Sequence, residues 1–417
     1  MMCLCTNSRH IVLALNSFYT FQSSPSLASL KHIRIPLTFA GKKGLTDKQL
    51  PRTVQRGKRT QTAGTFLSKP NAWNLKKPIT QNVSLMASRT NTKLLIVKKV
   101  LPFGQRAEPL EIVILALVPE CNRVVRPIYY SHADLDPEHG TAIFHHYPMG
   151  DLAYWKYQEF DNKNWKPVSE SFIWRFFLQI SQALAFIQGR IGPNQDERGC
   201  IIYCDIKPMN ILVVSNGTIY PSFKLHDFNC ATVYDASEAN QASSCGTYQW
   251  QPPENTTQGI NTEAADLWAL DACIHFLATG KSPMTTEHSR AYAAAQYRAN
   301  NNQHPESAEE YNKVDHYYDA HAPRRIILIN RDKDDLDQHG LGLSMEEKRA
   351  QRIGRECHEY SDELNDWMMQ CLSFYSTERP TTERLEHEMG VQAMEMLRKM
   401  GGKTALVDME VKYGGGT

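Results

Sequence analysis

The chain has 417 residues, 41% hydrophobic and 22% charged, with a net charge of +1. Those values suit a globular protein large enough for more than one lobe. They exclude a membrane-spanning chain, since no apolar run approaches the roughly eighteen residues of a span. The charge is unevenly placed. Up to Ala107, 18 Lys and Arg face one acid, Asp47, while the remainder is acidic. Two parts of opposite charge are expected to be separate physical units. The ten cysteines form no paired framework: Cys3 and Cys5 are close, as are Cys200 and Cys204, but no two CxxC pairs face each other. That pattern reads as reduced thiols in a cytosol-like compartment, with neither a disulfide scaffold nor a zinc site.

From Met1 to about Thr46 there is no acid, and Ser, Lys and Arg are frequent. This is the composition of a mitochondrial transit peptide or of a disordered basic leader, and the leader is the reading preferred here. The basic character continues to Thr92, and no G-x-G-x-x-G loop occurs. The ordered fold is therefore expected to begin near residue 91. Leu94 to Val97 reads as a buried strand ended by Lys98 and Lys99. Pro109 opens a helix through Leu117. Val124 to Tyr130 and Ala142 to Phe144 read as strands. Ser169 to Gly189 carries an apolar stripe at helical spacing: Phe172, Ile173, Phe176, Phe177, Ile180, Leu184 and Ile187.

The run Ile201 to Val214 is apolar at both ends and holds Asp205, Lys207 and Asn210 between. A carboxylate, an ammonium and a carboxamide on one tight loop suit phosphoryl transfer, which needs a proton acceptor, a cation and an oxygen ligand for a metal. A plain surface turn between two strands reads equally well from these residues alone. Asn216-Gly217 marks a hairpin between Ile211–Val214 and Ile219–Leu225. Asp227-Phe228-Asn229 follows, then a polar stretch to Gly246-Thr247 and Pro252-Pro253-Glu254. Asp266-Leu267-Trp268 opens an apolar helix that stops at Gly280. Residues 289 to 351 read as a polar insertion. Asp362 to Leu372 is helical, Arg379-Pro380 follows, and the chain after residue 401 reads as a flexible tail.

In this order, these segments resemble the eukaryotic protein kinase family, from about Lys93 to Leu385. The resemblance implies an α+β, bilobal fold: a small, mainly β lobe over about 91–146, and a larger, mainly α lobe over 147–400. It implies a serine/threonine kinase that uses ATP and magnesium and phosphorylates a protein. No nucleic acid partner is expected, and the compartment expected is cytoplasmic or nuclear. Asp205 would accept the hydroxyl proton, and Lys207 would neutralise the γ-phosphate. Asn210 and Asp227 would hold magnesium. Lys98 fits the third-strand lysine, with Lys99 as the alternative one residue out of register and so on the opposite face. Glu111 fits its helical partner, and a helix-dipole acid is the competing reading. Phe144, His145, His146 and Tyr147 would line the adenine hinge, His146 among the nucleotide contacts. Glu254 and Arg379 would form a buried ion pair, and Asp266 would hold the catalytic loop.

Four departures accompany the resemblance. Tyr203-Cys204-Asp205 stands for His-Arg-Asp, Asp227-Phe228-Asn229 for Asp-Phe-Gly, and Pro252-Pro253-Glu254 for Ala-Pro-Glu; the glycine loop is absent. Cys204 cannot grip a phosphate as arginine does. Basal activity is therefore expected to survive removal of each hydroxyl from Thr232 to Tyr248. Besides an active protein kinase, two further readings stand: a kinase-fold binding module with little or no transfer, and a small-molecule phosphotransferase.

Overall fold

The computed structural model describes residues 72–163, 167–234, 245–258, 262–284, 324–331 and 359–414. The basic leader and most of the expected insertion lie outside the described residues. The fold is α+β. Five antiparallel strands come first: β1 (Trp73–Pro78), β2 (Val83–Ser88), β3 (Leu95–Pro102), β4 (Tyr129–Asp136) and β5 (His139–His145). Their order in the sheet is β1-β2-β3-β5-β4. One helix, α1 (Leu110–Leu117), interrupts them.

The sheet thus starts before residue 91, where the fold was expected to begin. The signal was hidden because β1 buries only Trp73 and exposes the five residues after it. An edge strand with two lysines has no hydrophobic alternation to read. A second correction concerns Val124 to Tyr130, which was expected to be one strand. Here β4 begins only at Tyr129. The Val125 amide donates to the Leu225 carbonyl instead, 2.8 Å away. Arg126 spends its guanidinium on α1, bonding the carbonyls of Leu115 (2.6 Å) and Pro119 (3.2 Å). The Leu115 carbonyl is one of the last of the helix, with no partner inside it, and Pro119 lies just past the helix end. Pro127 then offers no amide to a ladder.

The second, helical part is built on α3 (Glu170–Ile187), in which every residue except Phe172 is buried. The predicted stripe is one side of a helix that is wrapped all round. Against it pack α5 (Glu263–Thr279) and α7 (Gly390–Ala405), and α6 (Asp362–Cys371) packs in turn on α5. Two shorter helices, α2 (Leu152–Lys156) and α4 (Pro253–Gln258), complete this part. Trp174, Phe176, Phe177, Trp268, Leu364 and Leu397 belong to its core. The helix α5 stops at Gly280, whose φ of 82° is left-handed, the conformation for which glycine carries no Cβ penalty. Two small antiparallel ribbons lie on this part: β6 (Ile201–Ile202) with β9 (Thr232–Val233), and β7 (Ile211–Val214) with β8 (Ser222–Leu225). Among the described residues no helix is long and apolar enough to cross a membrane.

The tail expected to be flexible from 401 is packed as far as it is described. Ala405 and Met409 are buried, and Tyr413 stacks on Phe186 with ring centroids 5.4 Å apart. Its carbonyls explain this. Arg123 donates to the Asp408 carbonyl (2.6 Å), Arg175 to those of Ala405 (2.5 Å) and Val407 (3.0 Å), and Gln182 to that of Met409 (3.0 Å).

Candidate active site

Asp205 and its neighbours sit on the loop between β6 and β7. The loop's shape is imposed from below by α5. Asp266, buried in the first turn of that helix, accepts the amides of Tyr203 (2.8 Å) and Cys204 (2.9 Å) on its two oxygens. Burial pushes the Asp266 carboxyl up to about 7, against those two amides. Cys204 is held at φ 67°, a left-handed geometry that costs a non-glycine about 1–3 kcal/mol. The Asp266 contacts offset that cost.

Above this turn the polar side chains converge. Lys207 Nζ donates to Asp205 Oδ2 at 2.7 Å and to Thr247 Oγ1 at 2.9 Å. Thr247 Oγ1 donates to Asp205 Oδ1 at 2.8 Å. Asn210 Nδ2 donates to the Asp205 carbonyl (2.8 Å) and to Oδ2 (2.9 Å). With its Nδ2 committed, Asn210 has its oxygen end to offer a cation. The expectation that every hydroxyl from Thr232 to Tyr248 is dispensable therefore does not extend to Thr247, which fixes both candidate catalytic residues.

A second cluster joins the sheet to this loop. Lys99 Nζ lies 2.7 Å from Glu111 Oε2 and 2.9 Å from Asp227 Oδ1. Burial opposes the charge on Lys99, but Glu111 and Asp227 outweigh it and push its pKa up to about 12. Burial likewise works against the Asp227 carboxylate, and Lys99, His226 and Lys207 outweigh it and hold the acid below its ordinary value. Asp227 stands at φ 66°. Phe228, fully buried, meets Tyr203 edge-on at 5.1 Å, and its amide points to Glu111 Oε1 at 3.4 Å. Tyr203 hydrogen-bonds through its hydroxyl to the carbonyls of His226 and Asp227. The tyrosine in the place of the histidine thus packs as expected and also grips the backbone of the segment that carries Asp227.

The structure separates the two lysines. Lys99, not Lys98, reaches Glu111. Val97, Lys99 and Leu101 share one face of β3, where Val97 and Leu101 pack in the cluster that contains Ile112 of α1. Ile96 belongs to a different cluster, with Trp73 and Ile143, and Lys98 shares its face. The signal was in the sequence: the face turned to the helix is the one bearing the apolar residues two before and two after the lysine. His146 lies just past β5, in the stretch expected to line the hinge, half-buried and with no hydrogen bond from its imidazole to the other candidates. Burial, helped by nearby Lys76, keeps its pKa below the ordinary value.

Glu254 and Arg379 form a buried, two-pronged pair at 2.6 and 2.8 Å. One thiol expectation is overturned: Cys230 and Cys245 are joined in a disulfide, spanning 15 positions with Cα atoms 5.5 Å apart. One is next but one after Phe228 and the other is two before Thr247. Spacing alone gave no hint, because the two approach only once the chain has folded back on the catalytic loop.

The protein kinase domain family model matches residues 81–389. The chain belongs to this family. A probable serine/threonine-protein kinase of Dictyostelium discoideum is 32% identical over 139 residues, covering 33% of this chain and 25% of that protein. Aurora/IPL1-related protein kinase 2 of Caenorhabditis elegans is 32% identical over 130 residues, 31% of this chain and 38% of that one. Aurora kinase A-A of Xenopus laevis is 33% identical over 118 residues, 28% and 25%. The matched part of the chain thus spans about a quarter to two fifths of the lengths of these curated relatives. As a kinase domain, this one keeps an ion triad of Lys99, Glu111 and Asp227 and a polar cluster around Asp205.

Proposed function

We propose that this kinase domain transfers the γ-phosphoryl group of ATP to serine or threonine hydroxyls of a protein. The observation that carries the reading is the Asp205 cluster, with Lys207, Asn210 and Thr247 all within 3 Å of its carboxylate or of each other. Asp205 orients the incoming hydroxyl and accepts its proton. Lys207 neutralises charge on the moving phosphoryl group, and Lys99, fixed by Glu111, pairs with the phosphates nearer the ribose. Asn210 and Asp227 offer oxygen donors, the donor type of a hard cation that keeps few protein ligands. Asp227 remains about a third exposed. Magnesium, when bound there, cancels the charge of the phosphates. Nearly all of the catalysis is then positioning and electrostatics.

One observation favours a second reading, a binding module of kinase fold with weak transfer. The turn between β1 and β2 is Ile79-Thr80-Gln81-Asn82, closed by the Ile79 and Thr80 amides on the Val83 carbonyl (2.8 and 3.0 Å). These amides face inward and are not presented to a triphosphate.

The test supplies the full chain with γ-labelled ATP, magnesium and a generic protein substrate, then hydrolyses the product to its phosphoamino acids. Phosphoserine or phosphothreonine is the expected result. Phosphotyrosine overturns the specificity. Nucleotide binding without labelled protein overturns the transfer and leaves the second reading.

A further inference from the structure

The disulfide stands where an activation-segment anchor is otherwise missing. Cys204 occupies the position that the resemblance gives to a phosphate-gripping arginine, and its Sγ is turned toward the Ile202 carbonyl, 3.6 Å away. Yet the segment end bearing Thr247 is tightly seated. Gly246, at φ 114°, passes so close that a Cβ there would lie 2.5 Å from the Cys204 carbonyl oxygen. Gln251 Nε2 holds the Cys245 carbonyl at 3.0 Å. On the other side Cys230 is fixed between two rigid points. Phe228 and Ala231 are fully buried, and Thr232–Val233 pairs with Ile201–Ile202. The Cys230–Cys245 bond therefore carries position from an anchored strand to the residue that holds Asp205.

Both cysteines are half-buried, so a small reagent can reach them. Among the other described cysteines, Cys121, Cys204, Cys273 and Cys371 are buried, and Cys200 is half-buried but not joined to another thiol. We propose that Cys230 and Cys245 form a reversible thiol–disulfide site that clamps Thr247 onto Asp205 and so controls engagement of the protein substrate. This deepens the transfer reading, on which its activity arm rests. The co-reactant is a small-molecule disulfide. One cysteine thiolate attacks a sulfur of that molecule, giving a mixed disulfide and releasing one small thiolate. The second cysteine thiolate then displaces the remaining half and closes the Sγ–Sγ bond. Two protein thiols lose two protons and two electrons, and the small disulfide gains them as two thiols. Excess thiol runs the same steps backward.

The experiment equilibrates the full chain with oxidised glutathione or with dithiothreitol, alongside the double variant Cys230→Ser/Cys245→Ser. Disulfide occupancy is read by mass spectrometry, and amide exchange of residues 245–250 is followed in both states. Oxidation is expected to slow that exchange at least tenfold and to lower KM for the protein substrate about fivefold, with KM for ATP unchanged within twofold. The double variant is expected to ignore the oxidant. Equal exchange in the two states, or a pair that stays reduced under excess oxidised glutathione, overturns the clamp. Slowed exchange without phosphoryl transfer in either state keeps the clamp and removes the kinase reading. Transfer that is indifferent to redox state does the reverse.

Discussion

Adjacent lysines on a strand face opposite ways, so Lys98 and Lys99 are not substitutes for each other. Only Lys99 makes the 2.7 Å contact that fixes Glu111. Replacing Lys99 with Met leaves buried Glu111 and half-buried Asp227 without their shared cation. Nucleotide affinity measured by titration calorimetry should fall at least tenfold, and transfer at least a hundredfold. Lys98→Met, on the other face, should leave both within about threefold. Equal losses in the two variants would contradict the assignment of Lys99. Thr247→Val makes a parallel case. It removes the one hydroxyl that joins Lys207 to Asp205, and kcat should fall about tenfold or more with ATP affinity unchanged, as read in a steady-state assay.

At the scale of elements, the end of the chain behaves as part of the core. Arg123 and Arg175 are buried, and several of their acceptors are carbonyls of residues 405–410. Removing residues 406–417 strips most of those acceptors from two buried charges. Loss of one side of such a contact typically costs about 3–5 kcal/mol, and urea unfolding should report a loss of that order. A truncated chain as stable as the full one would show that the contacts contribute nothing. This strap was not legible in the sequence. Lys, Glu and Gly at a chain end give the composition of a frayed tail, and backbone carbonyls leave no trace in side-chain chemistry. The same blindness hid β1, whose exposed lysines mask its pairing. The elements that were legible are α3, with its strong hydrophobic period, α5, a long apolar run stopped by a glycine, and the motif loop, whose Asp205, Lys207 and Asn210 are hydrogen-bonded to one another. The disulfide and the Thr247 bridge were legible only as residues, because their meaning lies in a contact between distant segments.

At the scale of the whole molecule, two histidines, His275 buried and His226 half-buried, weigh on its acid side. His226 and His275 are held by burial at about 4, below the ordinary 6.5. His275 Nε2 accepts the Ile327 amide at 3.1 Å, so its neutral form carries the proton on Nδ1, facing the Lys281 carbonyl at 2.7 Å. A second proton would meet that amide head-on. Between pH 6.5 and 4 these two rings bind fewer protons in the folded chain than in the unfolded one, so their contribution to stability falls as pH falls through that window, while Asp266, raised to about 7, acts in the opposite sense. Each histidine contributes a loss on the order of 3 kcal/mol by pH 4. Thermal unfolding of the wild-type chain and of His275→Gln should differ in pH dependence by that share, the wild type losing more stability than the variant between pH 6.5 and 4; the same dependence in both would contradict the role given to that ring.

The central claim is that the polar cluster on the loop after β6 performs phosphoryl transfer. Asp205→Asn preserves the shape of the side chain and removes its capacity to take a proton. Steady-state transfer from ATP to a serine-containing protein, measured for the wild-type chain and for this variant beside their ATP affinities, tests the claim directly. The account predicts that kcat falls about a thousandfold with ATP affinity unchanged. Equal rates in the two proteins would contradict it.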